Sequence, residues 1–169
     1  LTVQAGSLTV TQNVTANGTG NVALQASGAA SDVNVDGATV QSTAGNLQVI
    51  AGQSIKTNTA TGATTEFRTS GSLLLDAQDS IGVTANRLDT EVGTLAAVSA
   101  GTTIAGDIFL NQVAAGGALT VGTATGLDGR GNLSGLTTLA NNNDITLTVQ
   151  AGSLTVTQPI TANGSGNVA

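Results

Sequence analysis

The sequence predicts an all-β fold, a right-handed parallel β-helix (β-solenoid) with about three short strands in each coil. Three observations predict it. Residues 1–12, LTVQAGSLTVTQ, recur letter for letter at 147–158, an offset of 146 residues. Inside that long repeat, short strands of alternating apolar residues begin every 22–26 residues. The apolar content is Val, Leu, Ile and Ala interleaved with Thr, Asn and 23 Gly, which favours strands and turns.

The long repeat defines the predicted organisation of the chain. The second copy continues to the last residue, because TANG at 15–18 recurs at 161–164 and GNVA at 20–23 recurs at 166–169. We therefore predict one continuous solenoid over residues 1–169, in which 1–146 is one full repeat of six coils and 147–169 begins the next copy. A β-sandwich would also use regular short strands, but it does not explain an internal period that divides the long repeat. Right-handed winding is expected because parallel crossover connections almost always take that hand.

Composition excludes several classes of function. The net charge is −6 with four Lys and Arg in all, so no basic patch is available for nucleic acid. The chain has no Cys and no His, which removes the commonest transition-metal ligands, and we expect no cofactor. No apolar run approaches the roughly 20 residues of a membrane-spanning helix, so no membrane span is expected in this segment.

A recurring corner is predicted before each first strand of a coil. The strands start at Asn21, Asn46, Ser72, Thr94, Ala118, Asp144 and Asn167. The preceding residues tolerate positive φ, and they are Gly20, Gly45, Gly71, Gly93, Gly117, Asn143 and Gly166.

Alternation along each strand predicts the residues that fill the core. The inward column of the first strand is Val22, Leu47, Leu73, Leu95, Leu119, Ile145 and Val168. The second strand contributes Leu8, Val33, Ile55, Ile81, Ile104, Leu127 and Leu154. The third contributes Val14, Val40, Phe67, Leu88, Ile108, Leu133 and Ile160. Such stacked aliphatic side chains make a narrow core that needs no large aromatic residue.

Three segments carry a family resemblance. GNLQVIAGQSI at 45–55, GSLLLDAQDSI at 71–81 and GTLAAVSAGTTI at 93–104 resemble the repeats of filamentous-haemagglutinin-like bacterial surface proteins and giant adhesins. The resemblance implies an extracellular, cell-surface location, export across an outer membrane, and a role as stalk, fibre or adhesin. It offers no catalytic residues to transfer to this sequence.

Catalysis is not expected, although parallel β-helices can carry sugar-cleaving sites built from paired carboxylates. Asp76 and Asp79 share a coil, but the matching positions on the neighbouring coils hold no acid, and no coil-to-coil acid cluster is predicted. A carbohydrate-binding or carbohydrate-active protein is the main alternative, for which the two aromatic residues, Phe67 and Phe109, would have to serve. GLDGRGN at 126–132 is interpreted as a plain turn, since one Asp supplies too few ligands for calcium.

The outward side of the first strand suggests two further hypotheses. Ice binding requires a regular Thr row, whereas this column reads Ala23, Gln48, Leu74, Ala96, Thr120 and Thr146. Ile50, Leu74 and Val98 instead form an aliphatic patch, which we expect to contact a neighbouring fibre or an inserted loop. The overall expectation is a non-enzymatic, stiff structural segment whose partners are further copies of the same repeat, in the same or a stacked chain, and neighbouring fibres.

Overall fold

The computed structural model describes residues 1–101 and 106–169 and confirms the predicted fold class. The chain is nearly all β, and its parallel sheets form a solenoid of about six turns. Within the described ranges the one helical segment is a 3-10 turn at Ala114–Gly116. The strands are β1 (Thr2–Val3), β2 (Leu8–Val10), β3 (Val14–Ala16), β4 (Val22–Ala26), β5 (Val33–Val35), β6 (Val40–Ser42), β7 (Leu47–Ala51), β8 (Ile55–Lys56), β9 (Phe67–Ala77), β10 (Leu88–Ser99), β11 (Ile108–Gln112), β12 (Leu119–Val121), β13 (Thr123–Ala124), β14 (Leu133–Ser134), β15 (Leu136–Thr138), β16 (Ile145–Val149), β17 (Leu154–Val156) and β18 (Ile160–Thr161).

Each turn, called a lap below, crosses three faces. Face 1 holds β1, β4, β7, the second parts of β9 and β10, then β12, β15, β17 and β18. Face 2 holds β2, β5, β8, bridging residues Ile81 and Val168, and the starts of β11 and β16. Face 3 holds β3, β6, the first parts of β9 and β10, and the ends of β11 and β16. Each strand on these faces pairs in parallel with its counterpart on the adjacent lap, so the backbone hydrogen bonds link successive laps.

The core file of face 1 begins as predicted. Val22 pairs with Leu47, and Leu47 pairs with Leu73. Leu73 in turn pairs with Leu95. All four side chains are buried, because alternate residues of a strand point to the same side and here that side is the interior.

Beyond Leu95 the predicted register of face 1 is wrong. Leu95 pairs with Val121, and Leu119 pairs with Leu154. Ile145 belongs to face 2, where the file runs Ile55, Ile81, Ile108, Ile145 and Val168. The shift that pairs Leu95 with Val121 instead of Leu119 comes before residue 122 and so precedes the insertion at 122–135. The insertion then lengthens the next lap and shifts every later residue relative to a regular count.

The predicted files of the other two faces also change. On face 3 Phe67 lies beside Thr90 and not beside Leu88, a shift of two residues that keeps the same side inward. Ile108 lies on face 2, and Ile160 pairs with Leu136 on face 1. Leu127 and Leu133 lie in the insertion, and Ile104 lies outside the described residues.

The insertion between β12 and β15 leaves the wall of the solenoid. Residues 122–135, here called the strap, form a hairpin in which Thr123 pairs with Ser134 and Ala124 pairs with Leu133. This pairing is antiparallel, in contrast to the parallel ladders of the wall. The strap lies on the outer side of face 1.

The two copies of the repeated sequence lie on different faces. Leu8–Val10 is on face 2, paired with Val33–Val35. The identical segment Leu154–Val156 is on face 1, paired with β12. The same three-residue alternation satisfies either face, so the lap underneath determines where the segment lies.

Side chains complete the hydrogen bonding at the corners, where backbone groups leave the sheets. The Asn46 backbone N–H donates to Asn21 Oδ1 at 2.7 Å, and the Ser72 N–H donates to Asn46 Oδ1 at 3.1 Å. At the corner before face 2, the Asn167 N–H donates to Asp144 Oδ1 at 2.6 Å. Asp144 and Asn167 were assigned to the first of these corners from sequence, and the structure places them at the second.

Candidate functional site

Four of the predicted corner glycines, Gly45, Gly71, Gly93 and Gly166, are required by close packing of successive laps, whereas a Cβ atom at Gly117 would meet nothing within 4 Å. A Cβ atom added at Gly45 would lie 2.1 Å from the Gly20 carbonyl oxygen, and one at Gly71 would lie 2.4 Å from the Gly45 oxygen. At Gly93 and Gly166 the nearest carbonyl oxygens, those of Ser70 and Asn143, would be 2.5 and 2.2 Å away. The predicted reason, positive φ, is wrong for Gly20, Gly45, Gly71, Gly93 and Gly166; of the set, Gly117 alone has it, at 62°.

Hydroxyl groups close the same corner from the neighbouring lap. Ser42 Oγ donates to the Gly20 carbonyl oxygen at 2.6 Å, and Thr69 Oγ1 donates to that of Gly45 at 2.6 Å. Both side chains are buried. The corner is therefore a continuous hydrogen-bonded seam between laps, which suits a scaffold role.

The aliphatic patch on the outer side of face 1 is covered by the strap. Leu74 is fully buried in a small cluster with Ala96 and Ala124, and Leu133 packs against that cluster. An inserted loop is one of the two partners expected for the patch. Ile50 and Val98, the other predicted members, are half-buried and lie on either side of Asp76 in the register of face 1. Because Leu74 and Ala96 are buried, that part of the column considered for ice binding is not exposed.

Polar contacts fix the strap across several laps. The Thr125 N–H donates to Ser72 Oγ at 3.1 Å, and the Leu127 N–H donates to Gln48 Oε1 at 2.7 Å. Arg130 forms an ion pair with Asp76, at 2.7 Å between Nη2 and Oδ2. The GLDGRGN segment is thus the far end of a brace over face 1.

A polar groove runs along the outer side of face 3 and has a volume of about 540 Å³. Thr15, Gln41, Arg68 and Glu91 occupy one outward column on successive laps and line it. Gln41 Nε2 donates to Thr15 Oγ1 at 3.0 Å, and Arg68 Nε lies 2.5 Å from Glu91 Oε2. Glu91 is the one carboxylate among the described lining residues and it is paired with Arg68, so the groove offers hydrogen bonds and no carboxylate pair for acid–base chemistry.

Two buried carboxyl groups stack on consecutive laps of face 3. Glu66 and Asp89 are each 1% exposed. The Asp89 N–H donates to Glu66 Oε2 at 2.7 Å, and Thr57 Oγ1 lies 3.2 Å from Glu66 Oε1. Burial raises the pKa of Glu66 to about 8; the Asp89 carboxylate adds to the rise, and the bonds from the Asp89 N–H and Thr57 oppose it.

This pair was missed by the sequence analysis, and the expectation that no acids stack between coils is wrong. The predicted register paired Phe67 with Leu88 and therefore Glu66 with Arg87, so Asp89 was not recognised as the neighbour of Glu66. The sequence did contain a signal for the pair. Glu66 and Asp89 are separated by 23 residues, which lies within the predicted coil period of 22–26 residues.

On the lap that contains residues 147–169, three side chains that continue the core files are partly exposed. Leu154, Val156 and Val168 are 45%, 52% and 53% exposed. They stand directly above the buried Leu119, Val121 and Ile145. Residues 147–169 thus continue the files of the preceding laps.

Neither a metal cluster nor a membrane helix is found in the described ranges. Among residues 1–101 and 106–169, no three acidic side chains converge to hold a metal ion. No helix within those ranges is long and apolar enough to cross a membrane. The chain has no significant match among protein-family models, curated proteins or solved structures. The resemblance of its coil motifs to filamentous-haemagglutinin-like proteins therefore stays a prediction.

Proposed function

We propose that the chain is a structural segment of an extracellular bacterial filament, fibre or giant-adhesin stalk, and that it works as a stiff rod. The observation that carries the proposal is a repeated sequence that continues the stacking of one parallel solenoid. Residues 147–169 begin a second copy of the sequence that starts the solenoid, and Leu154 and Val156 of that copy pair with Leu119 and Val121 of the preceding lap.

The direction of the hydrogen bonds supports a mechanical role. Each wall strand pairs with the laps before and after it, as Leu47 does with Val22 and Leu73. Tension along the rod is thereby shared by many parallel backbone bonds. At about 4.8 Å per lap, about six laps extend the rod by roughly 29 Å per copy.

The strap adds a brace across the joints between laps. It starts from β12 and contacts Ser72 and Gln48, which belong to earlier laps. A hairpin fixed to several laps resists their bending apart on face 1. This arrangement suits a rod, because a brace keeps the segment straight without lengthening it.

Concatenated chains test the proposal. Chains of one, two and four 146-residue units, each followed by residues 147–169, should give particles of constant width whose length grows by about 29 Å per unit. Electron microscopy measures both dimensions. A matched chain with Val156→Asp at every junction places a charge at the core of the joint and should give bent or broken particles. Particles that grow in width, or separate beads, would contradict the rod.

The extracellular location rests on the resemblance and needs its own measurement. An antibody against the chain should label intact cells of the source bacterium and lose that signal after mild surface proteolysis. Labelling that requires permeabilised cells would contradict the location while leaving the rod proposal standing.

Carbohydrate binding is the second candidate, favoured by the polar groove on face 3. Hydroxyl, amide and guanidinium groups in the groove match the hydrogen-bonding needs of a sugar chain. Phe67 is fully buried and cannot act as a sugar platform there. Binding on a glycan array that is lost in Arg68→Ala and kept in Arg87→Ala would support this function, and no binding would remove it.

A further inference from the structure

The Glu66–Asp89 pair lacks a compensating cation. The ion pairs formed by described residues join Lys56 to Asp32, Arg68 to Glu91 and Arg130 to Asp76. Arg87, the remaining base, donates through Nη1 to Thr148 Oγ1 at 2.7 Å. A charge on Glu66 would therefore face the Asp89 carboxylate inside the protein with no positive partner.

Hydrogen-bond donors contact both oxygens of each of the two carboxyl groups. Asn111 Nδ2 donates to Asp89 Oδ1 at 2.5 Å, and the Gly62 N–H donates to Asp89 Oδ2. Glu66 receives the Asp89 N–H on one oxygen and has the Thr57 hydroxyl beside the other. A hydroxyl both donates and accepts hydrogen bonds, so Thr57 Oγ1 can accept a hydrogen bond from a proton carried by Glu66 Oε1.

The pair holds a loop against the joint between two laps. Residues 57–65 form a loop between β8 and Glu66. The Gly62 N–H in this loop donates a hydrogen bond to Asp89 on the next lap. A second tie joins the Arg87 N–H to Thr61 Oγ1 at 2.9 Å. The charge state of Glu66 thus acts where the third lap, the fourth lap and this loop meet.

We propose that Glu66 is kept as an uncharged acid that locks this joint, so that loss of its proton drives it from Asp89 and frees the 57–65 loop. Burial and the Asp89 carboxylate favour the neutral form of Glu66, and they outweigh the bonds from the Asp89 N–H and the Thr57 hydroxyl, which favour the charged form. None of these groups carries a positive charge. The rod would then hold this joint firmly in acidic surroundings and loosely in alkaline ones.

The pH dependence has a definite sign. The pKa of Glu66 is about 8 in the folded chain and near its ordinary value of 4.5 when unfolded. Between those values the folded state keeps a proton that the unfolded state has lost, so stability falls as pH rises. The contribution of Glu66 to the free energy of unfolding is complete below about pH 4.5 and is lost progressively up to about pH 8. Above about pH 8 it no longer changes with pH.

Replacing Glu66 with Gln isolates the effect, because the amide resembles the protonated acid. Urea unfolding of the 169-residue chain is measured from pH 5 to pH 9 for wild type, Glu66→Gln and Glu91→Gln. The unfolding constant of wild type should rise relative to Glu66→Gln by about tenfold per pH unit up to about pH 8. Glu91 lies on β10, two residues after Asp89, and is paired with Arg68; it is the control, and its variant should keep the wild-type dependence.

A direct titration guards against a variant that fails to fold. The ¹³Cδ resonance of Glu66 in the wild-type chain should titrate near pH 8. The protection of the 57–65 amides against exchange, measured relative to their intrinsic rates at each pH, should fall through the same range. A midpoint near 4.5, or a Glu66→Gln variant with the same pH dependence as wild type, would overturn the proposal.

Discussion

The carbonyl oxygen of Gly20 lies 2.1 Å from the position that a Cβ atom on Gly45 would occupy. Neither residue has a positive φ, so the requirement for glycine comes from the lap below and not from the local backbone. Real Cβ contacts are not that short, and a side chain there must push two laps apart. The corner column is therefore a measure of how tightly the laps stack.

Gly45→Ala should destabilise the chain by about 1–3 kcal/mol, the usual cost of overpacking a well-packed site. Chemical denaturation measures the change. Gly131→Ala is the matched control, because a Cβ there meets nothing within 4 Å and its φ is not positive. The control should stay within about 0.5 kcal/mol of wild type. Equal effects of the two substitutions would show that the corner has room to spare.

Leu73→Ala should cost about 2–5 kcal/mol, because it opens a cavity in the middle of the face 1 file. Leu73 is fully buried between Leu47 and Leu95. Leu139→Ala, at a side chain that is more than half exposed, should change stability by no more than about 0.5 kcal/mol. Thermal and urea unfolding of the three proteins make the comparison. If truncation at Leu139 were as damaging as at Leu73, the inward assignment would be wrong.

The face 1 file from Val22 to Leu95 could be predicted from sequence, because nothing interrupts its period. Val22, Leu47, Leu73 and Leu95 follow one another at the spacing that the strand starts give. Alternation then identifies the inward side without any knowledge of the neighbours. The fold class and this file follow from local pattern alone.

The later laps could not be predicted, because the strap has the length and composition of part of a coil. The lap that passes Thr120 on face 1 returns to that face at Thr155, and the strap accounts for the added length. LTV segments satisfy faces 1 and 2 equally well, as the two copies at 8–10 and 154–156 show. Their placement depends on pairing with another lap, which is tertiary information. The Glu66–Asp89 pair was missed for the same reason. A two-residue shift of the register on face 3 keeps the same side chains inward, so the apolar pattern alone does not reveal which residues are paired.

Leu133→Asp should detach the strap while leaving the solenoid wound. The new carboxylate would face Leu74 in an apolar contact, which is costly, whereas the wall pairs would be unchanged. Hydrogen exchange of the Thr125 and Leu127 amides, which bond to Ser72 and Gln48, should accelerate by about tenfold or more.

A milder variant provides the comparison for the strap. Arg130→Ala removes a partly exposed ion pair with Asp76 and should cost no more than about 1 kcal/mol. Exchange in the β4 and β7 strands should stay slow in both variants. Loss of protection throughout the wall in Leu133→Asp would mean that the strap is needed for winding, contrary to this account.

Disulfide trapping tests most directly whether each lap lies in parallel on the lap before it. Thr9 pairs with Asn34 and Thr15 pairs with Gln41, all on the outward side, and the chain has no native Cys. Adjacent parallel strands lie about 4.8 Å apart, within the range that a disulfide spans.

Four double-cysteine chains are oxidised at low concentration, and intramolecular bonds are identified by mass spectrometry. Thr9→Cys with Asn34→Cys, and Thr15→Cys with Gln41→Cys, should each close in high yield. Thr9→Cys with Gln41→Cys, and Thr15→Cys with Asn34→Cys, should close poorly; preferential closure of these crossed pairs would indicate an antiparallel hairpin and contradict the solenoid.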